Sequence, residues 1–169
     1  SLGALFFMDR GLVSSQGLPH PAQSRAKWWG LEGPVIMEGT NLPQAALVDL
    51  DGTIFEITPN WSMERNSAWE LETMSAGVYD TGVQHLQNLK QSGLVIVVLT
   101  ARGQTCRPLT REKLKSHGLW ELVDHIHHRP KQWEGASSAL YKRAMIKRLG
   151  RKYRFMVAME DEEKNLNVM

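Results

Sequence analysis

An apolar run that breaks off into acid constrains this chain more than any other feature: Ala45-Ala46-Leu47-Val48-Asp49-Leu50-Asp51-Gly52-Thr53. From Gln44 onward, short apolar runs alternate with helix-like stretches, the pattern of a parallel sheet with crossover helices. The runs predict strands at Ala45 to Leu50, Leu94 to Thr100, Val123 to His127 and Phe155 to Met159. Asp80 stands where a helix N-cap belongs, and Val83, Leu86 and Leu89 carry an apolar face up to Gly93. Two further helices are predicted over Leu109 to His117, closed by Gly118, and Ser137 to Leu149, closed by Gly150. Ligands of an open parallel sheet collect beyond the carboxyl ends of its strands, so Asp49, Asp51, Thr100, Glu160 and Asp161 are read together. Carboxylates at i and i+2 of a strand end lean into one crevice once the strand gives way to a turn, which Gly52 permits. Left alone, such a cluster repels itself and one pKa must rise. A hard cation satisfies it, and Mg²⁺ binds one or two carboxylates together with substrate phosphate oxygens.

Length and composition bound the rest. With 169 residues, 42% apolar and 22% charged, the chain is long enough for one hydrophobic core and too short for two. The expected division is an irregular N-terminal extension over residues 1–43, rich in Gly, Pro, Ser and Gln, and one α/β domain over residues 44–169. No apolar run reaches the roughly 18 residues of a membrane span. The single cysteine, Cys106, excludes an internal disulfide and a multi-cysteine zinc site, and it fits a reducing compartment. The expected location is intracellular, in the cytoplasm or, because only Asp9 is acidic before Glu32, in the mitochondrion behind a cleaved presequence. A net charge of +2 is too small to imply a polyanionic partner, yet seven basic residues crowd between Lys142 and Arg154.

Beyond these residues the chain resembles the haloacid dehalogenase (HAD) superfamily. Asp-Leu-Asp-Gly-Thr after an apolar strand resembles its first motif, and Leu99-Thr100-Ala101-Arg102 its second. Lys142, in the helix before the last strand, matches the third, and Glu160-Asp161 the acidic fourth. The resemblance spans roughly residues 44–169 and implies a Rossmannoid three-layer α/β/α fold with a parallel sheet. The short segment from Ile54 to Tyr79 implies a minimal cap and an open site. It also implies a Mg²⁺-dependent phosphomonoester hydrolase in which Asp49 is the nucleophile and forms an aspartyl-phosphate. Asp51 would be the general acid and base, and Thr100 and Lys142 would hold the phosphoryl oxygens. Asp49, the Asp51 carbonyl, and Asp161 or Glu160 would hold the metal. From Leu99 through Pro130 the sequence looks most like the polynucleotide-kinase-associated 3′-phosphatases and their Swiss-army-knife RNA-repair relatives. That finer likeness implies a nucleotide or polynucleotide phosphate as substrate, with Gly52, Thr53, Ala101 and Arg102 contacting it.

Each assignment has a plainer competitor. Asp and Gly are common in turns after strands, and Lys142 sits on a basic helix where Lys147 is the fallback. Acidic residues from Asp161 to Glu163 would also complement a helix N-terminus. Arg143, Lys147, Arg148, Arg151, Lys152 and Arg154 could follow a nucleic-acid backbone or form a solvated face. His125, His127 and His128 lack metal-ligand spacing, and Cys106 with Arg111 lacks the gap of a cysteine-phosphatase loop. Trp61, Trp69, Trp120 and Trp133 read as packing. The irregular extension with its Trp28-Trp29 pair also supports a protein partner, and with it a second function: an HAD-fold subunit of a larger organellar or ribonucleoprotein assembly with little or no activity. A phosphoaccepting receiver, the third option, does not explain the immediate i+2 acid.

Overall fold

The computed structural model describes residues 27–30, 41–57 and 75–161. Along the chain these form β1 (Lys27–Gly30), β2 (Gln44–Val48), α1 (Asp80–Gln91), β3 (Val95–Gly103), α2 (Arg107–Ser116), β4 (His125–Arg129), α3 (Ser138–Leu149) and β5 (Arg154–Glu160). The sheet order is β1-β5-β2-β3-β4, with β2, β3, β4 and β5 parallel and β1 antiparallel on β5. This is the α/β fold with a parallel sheet that the alternating pattern implies.

Strand alternation sorts the core into two layers. Ala46, Val48, Ile96 and Val98 face α1 and α2, where they meet Leu86, Leu89 and Leu114. Ala45, Leu47, Val97 and Leu99 face α3 and meet Tyr141 and Leu149. The sheet is therefore covered on both faces, in three layers. Gly82 lets α1 lie against the loop after β2, since a Cβ there would stand 2.3 Å from the Thr53 carbonyl oxygen.

Several boundaries differ from the sequence expectation. Asp80 is the first residue of α1 rather than its cap; Tyr79 holds the cap position with no side-chain bond. Asp80 there still complements the helix dipole. α2 starts two residues early, because Pro108 is compatible with a first turn. Ser137 caps α3, its side chain accepting from the Leu140 amide at 3.2 Å. β3 continues to Gly103, so Thr100, Ala101 and Arg102 lie within the strand, past a register shift against β4. β4 begins at His125, not Val123, because the Asp124 carboxylate and the turn at Trp120–Leu122 hold the preceding residues.

Lys27–Gly30, inside the stretch read as irregular, form the edge strand β1, with Lys27 opposite Glu160 and Gly30 opposite Val157. Four residues show no usable period, so this pairing has no signature in the local sequence. The rest of residues 1–40, the greater part of the expected cap, and Trp61 and Trp69 lie outside the described residues. No helix among the described residues is long and apolar enough to cross a membrane.

Candidate active site

Register brings the acids together. Val48 pairs with Val98 on one side and Met159 on the other, so Asp49 leaves β2 level with the end of β5. The Asp49 amide donates to the Met159 carbonyl at 3.0 Å, which prolongs the ladder by one bond. Glu160 closes β5 and Asp161 follows it. Asp49, Glu160 and Asp161 each offer a carboxylate oxygen within 4.8 Å of the others. Among the described residues this is a donor set of hard oxygens, as a cation such as Mg²⁺ requires.

Lys142 reaches this cluster from α3. Its Nζ donates to Asp49 Oδ1 at 2.9 Å and to Glu160 Oε2, and all three side chains are buried. Burial, then the neighbouring Glu160, push the Asp49 carboxyl up to about 8. Although burial works against the Lys142 ammonium, Asp49 and Glu160 hold its pKa above the usual lysine range. Three carboxyl groups thus crowd around one ammonium, and a divalent cation would relieve the repulsion that holds the Asp49 proton.

Asp51 is placed differently. Its carboxylate lies outside that cluster and accepts two bonds from Arg102, from Nε at 2.9 Å and Nη2 at 2.6 Å. Such a fork is the strong form of a carboxylate–guanidinium pair. Of the four residues expected at a metal, Asp49, Glu160 and Asp161 thus bring carboxylates to one cluster, while Asp51 was expected there through its carbonyl. Arg102, expected against substrate, is 3% exposed and turned onto Asp51. Its Nη1 also reaches Thr110 Oγ1 at 3.5 Å, and its guanidinium lies 5.0 Å from the Phe55 ring centroid.

Gly52 turns the chain at φ +80, and a Cβ there would stand 2.1 Å from Asp161 Oδ2. The turn that follows is held by the Leu50 carbonyl, which accepts from the amides of Thr53, Ile54 and Phe55. Thr53 and Thr100 are fully buried, and Thr100 Oγ1 accepts from the Arg102 amide at 3.2 Å. Ala101 is half-buried. The basic residues Arg143, Lys147, Arg148, Arg151, Lys152 and Arg154 are all exposed.

Two residues in this neighbourhood escape a sequence reading. Lys113 is 1% exposed, with Nζ 4.6 Å from the Phe55 ring centroid. Burial and then the Arg102 charge lower its pKa to about 8. In the run Arg111-Glu112-Lys113-Leu114-Lys115 it reads as one more solvated charge. The only signal is its i+3 spacing from Thr110, which sets both on one face of α2. Phe55, which lies beneath both cations, follows the motif without a pattern of its own.

No family model matches the chain, and no curated protein matches it. Solved structures do. A chain of a Pnkp1/Rnl/Hen1 RNA repair complex superposes with a TM-score of 0.65 at 19% identity, over 76% of this chain and 39% of that one. A class C acid phosphatase from Bacillus anthracis, with tungstate bound, gives 0.61 at 16% identity, over 75% and 55%. The chain thus spans about two fifths to just over half of these neighbours. At such identities the likeness is one of fold.

Proposed function

On this haloacid-dehalogenase-like fold, we propose a Mg²⁺-dependent phosphomonoester hydrolase that works through an aspartyl-phosphate on Asp49. The observation that carries the reading is the carboxylate cluster of Asp49, Glu160 and the half-buried Asp161, in which Lys142 bridges Asp49 and Glu160. Lys142 engages Asp49 Oδ1, which leaves Oδ2 to attack phosphorus. Asp51, at the mouth of the same loop, gives a proton to the leaving oxygen and then takes one from the hydrolytic water. Thr100 and Lys142 steady the phosphoryl oxygens. A Mg²⁺ held by Asp49, Glu160, Asp161 and the Asp51 carbonyl would neutralise charge on the transferring group, which carries most of the catalysis of phosphoryl transfer. Arg102 is the guanidinium that a substrate phosphate can draw from Asp51, freeing that carboxylate for proton transfer. The RNA-repair neighbour supports a nucleotide or polynucleotide phosphate as substrate.

The bidentate Arg102–Asp51 pair favours a second reading, since it occupies both oxygens of the acid–base residue. An assembly subunit with little turnover would keep that pair permanently. Phosphate release from p-nitrophenyl phosphate, with and without MgCl₂, separates the two. The hydrolase reading expects Mg²⁺-dependent turnover that Asp49→Asn abolishes with the circular dichroism unchanged. Equal rates in Asp49→Asn remove the nucleophile. No turnover, with the chain incorporated in a larger particle, selects the subunit.

A further inference from the structure

A cleft of about 270 Å³ opens between α2 and β4, sharing no residue with the carboxylate–lysine centre. Arg107, Arg111, Trp120, Ile126 and His128 line it. Arg107, Arg111 and Lys115 recur at i, i+4 and i+8, so they share one face of α2. A second hollow, of about 430 Å³, shares Arg107 and Arg111 and adds Lys115 and Glu112. The Arg111 guanidinium lies 5.2 Å and the Lys115 ammonium 5.9 Å from the Trp120 ring centroid, which steadies both heads against an aromatic surface. Neither guanidinium has a carboxylate at ion-pair distance among the described residues. Asp124 also borders the cleft, but its carboxylate is held by Lys90 at 2.6 Å and by the Ile96 amide at 2.8 Å.

His128 supplies the second, independent observation. It is 6% exposed, lines the cleft, and its Nε2 has no hydrogen-bond partner among the described residues. A buried polar atom without a partner is costly and calls for one. Burial and then the Arg107 charge lower the His128 pKa to about 4, so the ring is neutral near pH 7 and Nε2 can donate or accept. We propose that this cleft is a nucleotide subsite: Arg107 and Arg111 take a phosphate, the Trp120, Val123 and Ile126 wall takes the sugar and base, and the His128 ring forms part of its lining. Two guanidiniums beside an indole and an apolar wall suit an anion with a flat body better than inorganic phosphate alone. The ligand is either a free nucleotide or one unit of a single strand. This inference stands apart from the hydrolase reading.

Binding tests it on the full chain, with AMP by calorimetry and with fluorescein-labelled single-stranded hexamers and dodecamers lacking a terminal phosphate by anisotropy, at low salt. Arg111→Gln is expected to weaken binding about tenfold, equal to ~1.4 kcal/mol, and Arg107→Gln/Arg111→Gln to remove it. Both arginines are exposed, and the charge-reversed Arg111→Glu serves as a second variant should the double one unfold. Hydrolysis of p-nitrophenyl phosphate is expected to be unchanged in Arg111→Gln, so failure of the hydrolase reading registers separately. Affinity rising with length identifies a strand, and AMP binding as tightly as the hexamer identifies a free nucleotide. The subsite is overturned when neither probe binds the parent chain, or when Arg111→Glu binds as the parent does.

Discussion

Replacing Lys142 by Met removes a cation that two buried carboxylates share. The side chains of Lys142, Asp49 and Glu160 are 2%, 7% and 0% exposed, so water cannot substitute for the ammonium. Breaking a buried pair by deleting one partner costs roughly 3–5 kcal/mol. At about 2–4 °C per kcal/mol for a chain of this size, Lys142→Met is expected to melt about 6–20 °C below the parent in EDTA at pH 7. The pH dependence follows from Asp49. With its folded pKa raised to about 8, the native state binds that proton more tightly than the unfolded chain. Its contribution is therefore full below the ordinary carboxylate range and is lost as pH rises through about 8. Removing the ammonium raises that pKa further, so the deficit of the variant widens above neutrality, by at most about 1.4 kcal/mol per pH unit for one proton. Added Mg²⁺ is expected to recover part of the loss, because a divalent cation can replace the ammonium between Asp49 and Glu160. Differential scanning fluorimetry at pH 6, 7.5 and 9, with EDTA or MgCl₂, reads all three effects. A variant melting within about 2 °C of the parent at every pH in EDTA would refute the charge argument, since it would mean the buried acids do not depend on Lys142.

Gly52→Ala tests the turn. An L residue at φ +80 costs roughly 1–2 kcal/mol, and the new Cβ displaces Asp161 Oδ2 from 2.1 Å. Melting should fall by a few degrees, while the Mg²⁺ concentration for half-maximal turnover rises several-fold; an unchanged Mg²⁺ requirement removes Asp161 from the metal set. Tyr141→Phe is expected to be neutral or stabilising by about 1 kcal/mol. The tyrosine hydroxyl is buried without a hydrogen-bond partner among the described residues, and burial has pushed its pKa up to about 12. Destabilisation beyond about 1 kcal/mol in urea titration would show that this hydroxyl is satisfied after all.

What the sequence determined by itself is local. The unbroken apolar runs of β2 and β3 mark strands covered on both faces of the sheet, and their alternation with helices makes the sheet parallel. Glycines mark the helix ends at Gly93 and Gly118, where φ is positive, and Asp49, Gly52 and Glu160-Asp161 stand at strand ends because ligand-binding acids and turns congregate there. Tertiary structure decided which charges meet. Asp49 and Lys142 lie 93 positions apart, and only the stacking of α3 on the sheet brings Nζ to the carboxylate. The same holds for Arg102 and Asp51, 51 positions apart: Arg102, in the part of β3 past Thr100, was expected against substrate and lies on the Asp51 carboxylate instead. β1 could not be read because four residues carry no period, and its partner β5 lies at the far end of the chain. Lys113 and His128 were hidden for a related reason. Whether a basic side chain is solvated or buried depends on what packs over it, and that neighbour is set by the fold rather than by adjacent residues.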